Sequence, residues 1–513
     1  MIIFLGANAQ EGDLKITKSE VFKSEKYKTS LLFAKEDSNG DIFLVRNFYK
    51  TNSSPLGYYI EHYNKDLTLL KRDEIEVNRS ELRGLYIIDS KIILLQFKYL
   101  QKEKKYAFVA LTSSKEEFNF VEKYAFSIDR DKIKKYDHYG IRKEPEFTLH
   151  KEYKFGEVVE SENKDFIAIN LFVKNEDNDS FFVVVFDKNF NKLYEYNLSK
   201  INTESNSKSS LFAYQNMKLD NQGNVYLLGK VYKNKSGKEK VKGIPNYTFE
   251  LFKINKQGQK QILIDDSKYF IDELQIFLKN DILSCIGFYS NKKSNNSANE
   301  NYSKDGIIRI NINVVNDEVF LKSYQPFKES INNLTFEKIA SFGSVNDNLF
   351  VKNSYIDDDI IIYSEKFSIY ISDNSIQSRN SYGDILVFKI SPNGELIWAK
   401  SINKHQKAWN INNIPYLSYS RLNFNKSSYL FINAEEEVKL DKNNDFKFSY
   451  SKSKNVPFMI FINEKGEIDY TNLNNEGLKD ISLEVRFGVL LNDNSLLMEA
   501  ESNGKPLLVK ISQ

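Results

Sequence analysis

The stretch Leu386-Val-Phe-Lys-Ile-Ser391-Pro-Asn-Gly394-Glu-Leu-Ile-Trp-Ala decides the fold of this chain. An apolar run ends in a small polar residue, further turn-forming residues and a glycine follow, and a second apolar run then begins. The Asn-Gly pair supplies the positive φ that a tight turn between antiparallel strands needs. The pattern therefore predicts a β-hairpin.

The same pattern recurs along the chain. Two clear copies are Glu250-Leu-Phe-Lys-Ile-Asn255-Lys-Gln-Gly258 and Phe458-Met-Ile-Phe-Ile-Asn463-Glu-Lys-Gly466, and shorter or weaker copies lie between and around them. Their spacing averages about 64 residues, and a fixed period of this kind indicates a repeat architecture. The small polar residues of the copies are Asn64, Thr112, Asp187, Asn255, Asn313, Ser391, Asn463 and Ser512.

A second hairpin precedes most copies and carries its own turn signal. Asn39-Gly40 comes before Asp41-Ile-Phe-Leu-Val, and Gln222-Gly223 comes before Asn224-Val-Tyr-Leu-Leu. Two hairpins give four strands per repeat, which is the content of one propeller blade. We predict an all-β chain that forms a single closed β-propeller of eight four-stranded blades. Seven blades are the alternative, because the copies at Thr112 and Asn313 are weak.

The two ends of the chain complement each other. The last copy, Leu507 to Ile511, has no fourth strand after it, whereas Leu14-Lys-Ile-Thr-Lys-Ser-Glu-Val-Phe22 is strand-like and has no hairpin partner nearby. Pairing of these two segments would complete the last blade and remove an exposed sheet edge. We therefore predict that the N-terminal strand closes the ring.

Composition and charge exclude several classes of protein. Lys and Arg number 72 against 70 Asp and Glu, so the net charge of +2 gives no basic face for nucleic acid. Tyr (31) and Phe (38) are abundant, which favours strands over helices. No run approaches the ~18 apolar residues of a membrane-spanning helix. We expect no nucleic-acid partner and no transmembrane segment.

The first residues, Met1-Ile-Ile-Phe-Leu-Gly-Ala7-Asn-Ala9-Gln10, are typical of the end of a secretory signal peptide cleaved after Ala9. An apolar tail is the alternative. The predicted organisation is a signal-peptide remnant at residues 1–9 and a propeller domain at residues 10–513, exported to the periplasm, the cell surface or the medium. Cys285 lies in an apolar strand-like run, which predicts a buried and unreactive thiol.

Residues 382–406 are the most family-like part of the chain. Tyr382-Gly-Asp-Ile-Leu-Val-Phe-Lys-Ile-Ser-Pro-Asn-Gly-Glu-Leu-Ile-Trp-Ala-Lys, continued by Ser401-Ile-Asn-Lys404-His-Gln406, resembles the repeats of exported, uncharacterised bacterial β-propeller proteins. The resemblance covers about one repeat. It implies a secreted propeller and brings no catalytic residues with it.

Signatures of catalysis are absent from the sequence. It contains no Gly-x-Ser-x-Gly, His-Glu-x-x-His or phosphate-binding Gly-x-x-x-x-Gly-Lys pattern. The histidines His62, His138, His150 and His405 stand in separate segments, so we predict neither a metal nor a cofactor. Asp37-Ser-Asn-Gly-Asp41 lacks the ligand pattern of a calcium loop and is better explained as a turn.

One segment stands out as a candidate binding region. Trp409 lies in a connector without strand alternation, flanked by amide side chains, with His405, Tyr416, Tyr419 and Arg421 nearby. An aromatic ring in such a loop suits stacking on a sugar or anchoring a protein partner. The alternative is that Trp409 folds down to cap a blade.

Two functions remain open at this point. The first is a secreted or envelope-associated scaffold without enzymatic activity, which binds protein or glycan through one face of the ring. The alternative is a secreted hydrolase or lyase that acts on polysaccharide at the central channel. The fold alone does not separate them, because propellers host both classes.

Overall fold

A computed structural model describes residues 14–22, 27–49, 56–76, 80–133, 157–174, 179–198, 212–233, 238–264, 268–291, 305–327, 348–356, 358–371, 378–408, 411–440, 445–450 and 455–512. Among the described residues, 69% lie in strands and almost none in helices, and eight four-stranded blades form a ring, the arrangement of a β-propeller. The predicted fold class and the count of eight blades are therefore confirmed. The chain divides into two compact units, residues 1–77, 348–387 and 400–513, and residues 78–347 and 388–399.

The strands are numbered in chain order. Those from the N-terminus to the end of blade 4 are β1 Lys15–Lys18; in blade 1, β2 Lys28–Glu36, β3 Ile42–Tyr49, β4 Gly57–Tyr63 and β5 Leu69–Glu76; in blade 2, β6 Ser80–Ile88, β7 Lys91–Leu100, β8 Lys105–Ser114 and β9 Val121–Asp129; in blade 3, β10 Val158–Glu160, β11 Phe166–Lys174, β12 Asp179–Asp187 and β13 Lys192–Leu198; in blade 4, β14 Phe212–Leu219, β15 Val225–Tyr232, the accessory hairpin β16 Lys240–Val241 and β17 Ile244–Pro245, β18 Tyr247–Asn255 and β19 Gly258–Leu263.

The remaining blades complete the ring. Their strands are, in blade 5, β20 Phe270–Lys279, β21 Ile282–Ser290, β22 Gly306–Asn313 and β23 Glu318–Pro326; in blade 6, β24 Asn348–Ile356, β25 Asp359–Ile371, β26 Ser378–Ile390 and β27 Leu396–Ala408; in blade 7, β28 Ser420–Phe424, β29 Ser427–Ala434, the accessory pair β30 Lys439–Leu440 and β31 Phe446–Ser449, β32 Val456–Ile462 and β33 Ile468–Asn472; and in blade 8, β34 Ile481–Leu483, β35 Val489–Leu490, β36 Leu496–Ser502 and β37 Lys505–Ser512. Short helical turns span Ile411–Tyr416, Asn474–Leu478 and Val485–Phe487.

The repeated small polar residue starts the turn between the third and fourth strands of a blade. Asn64 Oδ1 accepts hydrogen bonds from the backbone N of Asp66 (3.1 Å) and Thr68 (2.8 Å). This local bond to the following backbone is what Asn, Asp and Ser offer a turn. The corresponding bonds form at Asp187, Asn255, Asn313, Ser391 and Asn463.

One of the predicted turn positions differs in the structure. Thr112 lies within β8, where it pairs with Val121, and the turn residue is Ser114, whose Oγ accepts from Glu117 N at 3.2 Å. The run Thr112-Ser-Ser114 offers three adjacent candidates, and only the extent of the ladder with β9 selects among them. Ser512, the last residue of the truncated copy, pairs with Lys15.

The N-terminal strand closes blade 8, as predicted. β1 pairs antiparallel with β37, with Lys15 opposite Ser512 and Lys18 opposite Val509, and the order of the sheet is β1-β37-β36-β34. Beyond β1, Ser19 N donates to Leu508 O (3.0 Å) and Phe22 N donates to Pro506 O (2.8 Å). The regular strand is shorter than the predicted segment, because the residues after Lys18 make separate hydrogen bonds instead of a continuous ladder.

The core lies between neighbouring sheets inside each unit. The middle strands of a blade are buried nearly throughout, as in β3 and β29, whereas the fourth strands β5 and β9 are largely exposed. Cys285 belongs to a buried cluster formed by strands of blades 4 and 5, and burial raises the pKa of its thiol well above the ordinary value. The thiol is therefore buried, as the sequence predicts. Among the described residues, no helix is long and apolar enough to span a membrane.

Connection lengths differ between the two ends of most of the sheets. Within a blade, the turns from the first to the second strand and from the third to the fourth strand are short. The longest turn from a third to a fourth strand is residues 115–120. Blade 8 is the exception, with a long connection from its first to its second full strand at 484–495. In an antiparallel sheet, the second-to-third connection and the one leaving for the next blade share the opposite end. That end, here called the long-connection end, carries residues 130–157, 199–211, 233–246, 291–305, 327–347, 409–419 and 435–455.

Candidate functional site

The predicted binding segment forms the connection between blades 6 and 7. β27 ends at Ala408, a 3₁₀ turn covers Ile411–Tyr416, and β28 begins at Ser420. The segment is thus a connector at a long-connection end, as its lack of strand alternation indicates. Trp409 itself lies outside the described residues, so its role stays a prediction.

The other four residues of the segment occupy different environments. His405 is exposed on β27, and its backbone oxygen accepts from Tyr450 N at 3.1 Å. Tyr419 is 0% exposed, so its ring packs in the interior and presents no surface to a partner. The half-buried Arg421 guanidinium lies 5.5 Å from the centre of the Tyr363 ring. Tyr416 is half-buried, and its hydroxyl donates to Glu501 Oε2 at 3.0 Å.

Tyr416 leads to a group of three acidic residues on blade 8, here called the glutamate cluster: Glu484, Glu499 and Glu501. Glu499 and Glu501 are two residues apart on β36, so strand alternation places both side chains on one face. Glu484 N donates to Glu499 O at 2.8 Å, which continues the ladder from β34 and sets Glu484 opposite Glu499. Side chains opposite each other in an antiparallel pair lie close together.

Glu499 is held by groups from blade 1. Its Oε1 accepts from Thr29 Oγ1 (2.7 Å) and Arg46 Nη1 (3.2 Å). Arg46 is 0% exposed and also forms a two-pronged pair with Glu61, Nε to Oε2 at 2.8 Å and Nη2 to Oε1 at 2.7 Å. Charge-assisted bonds of this kind stabilise the ionised form of a carboxyl group.

Glu484 is in the opposite situation. Burial, with the charges of Glu499 and Glu501 next in importance, holds the pKa of Glu484 well above its usual range. Its Oε2 is enclosed and accepts no hydrogen bond from any described residue. The cluster therefore places a carboxyl group whose pKa is raised beside a carboxyl group that accepts a hydrogen bond from an arginine. Two carboxyl groups in different environments can divide the roles of acid and base.

The cluster coincides with an interruption of the first strand of blade 8. β34 ends at Leu483, the 3₁₀ turn Val485–Phe487 follows, and β35 resumes at Val489. Three hydrogen bonds fix the backbone on both sides of Glu484. Asn433 Nδ2 donates to Leu483 O (2.7 Å), and Ser420 Oγ donates to Val485 O. Arg486 donates to the Tyr382 hydroxyl. Irregular strands re-aim side chains and occur often beside functional sites.

A buried polar network supports the connector that carries Tyr416. Lys404 Nζ lies 2.5 Å from Glu365 Oε1 and 2.9 Å from Gln406 Oε1. Ser418 N donates to Gln406 Oε1 (2.7 Å), and Ser418 Oγ donates to Glu365. Burial lowers the pKa of Lys404, although Glu365 acts against this change. Because Lys404 is 1% exposed, the network positions the chain and does not meet solvent.

No group of three His, Cys, Asp or Glu among the described residues is arranged to hold a metal ion. His62 Nε2 lies 2.9 Å from Asp41 Oδ2, and His138 and His150 lie outside the described residues. Asp37 Oδ1 accepts from the backbone N of Asn39 and Asp41, which confirms the turn at this position.

The sequence pointed to Tyr416 as a candidate residue, but it did not point to the glutamate cluster. The only local signal for the cluster is the pair Glu499-x-Glu501, whose spacing fits one face of a strand. Thr29 and Arg46 are far away along the chain, Glu484 precedes Glu499 within the same blade, and none of the three belongs to a motif.

No protein-family model matches the chain, and no curated protein matches its sequence. Among solved structures, the β-propeller domain of the Trilobed protease from Pyrococcus furiosus is similar at 9% identity and a TM-score of 0.37, over 88% of this chain and 98% of that one. Polysaccharide lyase Uly1 is similar at 9% identity and a TM-score of 0.37, over 84% of this chain and 89% of that one. Pyrococcus horikoshii acylaminoacyl peptidase is similar at 8% identity and a TM-score of 0.34, over 80% of this chain and 58% of that one.

Proposed function

We propose that this protein is a binding β-propeller that contacts a protein or glycan partner through the long-connection ends of its sheets. The observation that carries the proposal is the uneven distribution of connection lengths. Tight turns at one end are all that an antiparallel blade requires, whereas several connections at the other end are much longer than a blade needs.

The candidate residues of blades 6 to 8 fit this surface. Tyr416 lies in a long connection, and its hydrogen-bond partner Glu501 is exposed beside the connection from β36 to β37. An aromatic ring that is half-buried and fixed by a hydrogen bond loses little freedom on binding, which is why tyrosine is enriched at interfaces.

The test compares the two ends of one blade. A glycan array and cross-linking to proteins of the native host would identify the partner, and affinity would then be measured for two variants. Tyr416→Ala at the long-connection end should weaken binding about tenfold or more. The matched variant is Lys465→Ala, in the exposed turn between the third and fourth strands of blade 7, and it should bind as the unmodified chain does. Loss of binding in Lys465→Ala with no effect of Tyr416→Ala would refute the proposal.

A second candidate function is hydrolysis or elimination on polysaccharide, and the glutamate cluster favours it. Glu484, whose pKa is raised by burial and by its acidic neighbours, would act as the proton donor, and Glu499 would act as the base or charge-stabilising group. Tyr416 lies at the same place. Incubation with mixed polysaccharides, followed by assays of reducing ends and of unsaturated products, tests it. The matched variants are Glu484→Gln and Glu464→Gln, the latter an exposed acid on a turn; only the former should abolish turnover. Absence of turnover by the unmodified chain leaves the binding function alone.

We also propose that the chain is exported, on the basis of the Ala7-Asn-Ala9 pattern, which lies outside the described residues. Mature protein from the native host should then begin at Gln10 in N-terminal sequencing. Material that retains Met1 and stays with the cytoplasmic fraction would contradict export.

A further inference from the structure

A second group of polar and aromatic side chains lies in the other unit, between blades 3 and 4. Tyr214 is near the start of β14, at the long-connection end of its sheet, whereas Glu157 comes immediately before β10 and lies opposite Asn170 in the middle of β11. The Tyr214 hydroxyl donates to Glu157 Oε2. Both residues are only half-buried, so solvent reaches the pair.

Aromatic rings surround this pair. The ring centre of Tyr214 lies 5.5 Å from that of Phe181 and 6.1 Å from that of Phe172. Phe212 packs edge-on against Phe181 at 4.9 Å. Phe181 is 6% exposed and forms the floor, whereas Phe172, Phe212 and Tyr214 are half-buried. The group thus combines a partly exposed aromatic surface with a carboxyl group and a phenol.

The polar groups here are not arranged for stability alone. Asn170 is 0% exposed; its Oδ1 accepts from Glu157 N at 2.8 Å, but its Nδ2 has no partner among the described residues. An unsatisfied buried donor destabilises the folded state. Burial also disfavours the charged form of Glu157 and raises its pKa to about 7. Two unfavourable features in one place are typical of sites under functional constraint.

The chemistry of the group restricts the ligand. Ring faces contact the apolar faces of sugar rings, while a carboxyl group, a phenol and amides exchange hydrogen bonds with hydroxyl groups. The carboxyl group of Glu157, when ionised, would repel the carboxylates of an anionic sugar.

We propose that Glu157, Tyr214 and the rings of Phe172 and Phe212 form a subsite for one unit of a neutral oligosaccharide. This inference rests on the proposed binding function and names the ligand class for one part of the long-connection surface. It differs from the glutamate cluster in position and in chemistry.

Isothermal titration of the full chain tests the subsite with defined probes: cellohexaose, xylohexaose, mannohexaose and, as the anionic comparison, hexagalacturonate. We expect at least one neutral hexaose to bind and hexagalacturonate to bind more weakly or not at all. Tyr214→Ala should weaken the neutral hexaose about tenfold. The matched control is Tyr124→Ala, a tyrosine 57% exposed on the fourth strand of blade 2, which should bind normally.

Two conservative variants keep the test valid if Tyr214→Ala fails to fold. Tyr214→Phe keeps the ring and removes the hydroxyl, and Glu157→Gln keeps the shape of the protonated acid; we expect weaker binding in the first and retained binding in the second. The subsite is overturned if no neutral hexaose binds, if hexagalacturonate binds best, or if the Tyr214 variants bind like the unmodified chain. Each of these results leaves the Tyr416 and Lys465 comparison unaffected, so failure of the subsite is distinguishable from failure of the proposed function.

Discussion

The substitution Phe22→Ala should destabilise the protein strongly, because Phe22 joins the closing segment to blade 1. The side chain is 8% exposed and belongs to a core cluster with Leu31 of blade 1 and Leu508 of blade 8. The guanidinium of Arg46 lies 4.0 Å from the centre of its ring. Phe22 therefore contributes both apolar burial and a contact with a buried cation.

The magnitude follows from these two contacts. Removal of a buried phenylalanine from this position costs about 2–3 kcal/mol in apolar transfer, and loss of the cation–ring contact adds about 1 kcal/mol. Phe22→Leu keeps most of the burial and should cost only about 1 kcal/mol. The matched control is Phe320→Ala on β23, where the ring is 52% exposed and the change should stay within about 0.5 kcal/mol.

Urea denaturation followed by circular dichroism measures the free energy of unfolding, and size-exclusion chromatography measures aggregation. Phe22→Ala should also aggregate, since a weakened β1 leaves the backbone of β37 open to pairing with another chain. Equal unfolding curves for Phe22→Ala and Phe320→Ala would show that the closing segment does not stabilise blade 8.

Three further predictions concern buried ionisable groups. The pKa of Glu157 is raised from 4.5 to about 7 in the folded chain. Between these two pH values the folded chain keeps a proton that the unfolded chain has released, so the free energy of unfolding should fall as the pH rises from 4.5 to 7. Glu157→Gln should remove that fall and should be more stable than the unmodified chain at pH 8 by about 1–3 kcal/mol, measured by urea titration at pH 5 and pH 8. An equal loss of stability from pH 5 to pH 8 in both proteins would contradict the prediction. Lys404→Met should cost about 3–5 kcal/mol because it leaves Glu365 buried and unneutralised, and Lys404→Met with Glu365→Met should recover most of that loss in thermal melts. Cys285 should resist a thiol reagent in the folded protein and react once urea unfolds it; fast reaction without urea would contradict its burial.

The fold was accessible from the sequence because its decisive interactions are local. A turn residue such as Asn463 binds the backbone two and four residues ahead, so the pattern that makes the turn is contained in five consecutive positions. Repetition of that pattern then gives the number of blades. Thr112 is the exception, since the turn position among adjacent polar residues depends on the length of the ladder with β9.

The candidate site was less accessible because it is assembled across the chain. Thr29, Arg46, Glu484 and Glu499 come from blades 1 and 8, and nothing in the sequence selects these two acids from a total of 70. Tyr416 could be chosen because a large aromatic side chain is uncommon in a connector. The burial of Tyr419 could not be foreseen, since burial depends on packing by residues of neighbouring strands.

Closure of blade 8 and the protonation of the glutamate cluster depend on the same contacts. Phe22 covers Arg46, and Arg46 in turn holds the negative charge of Glu499. The charge of Glu499 is one of the causes that keep Glu484 protonated, whereas Arg46 acts against it. A change at Phe22 that lets water reach Arg46 would weaken both influences by screening them. The segment that completes the blade therefore also influences the electrostatic environment of the carboxyl groups.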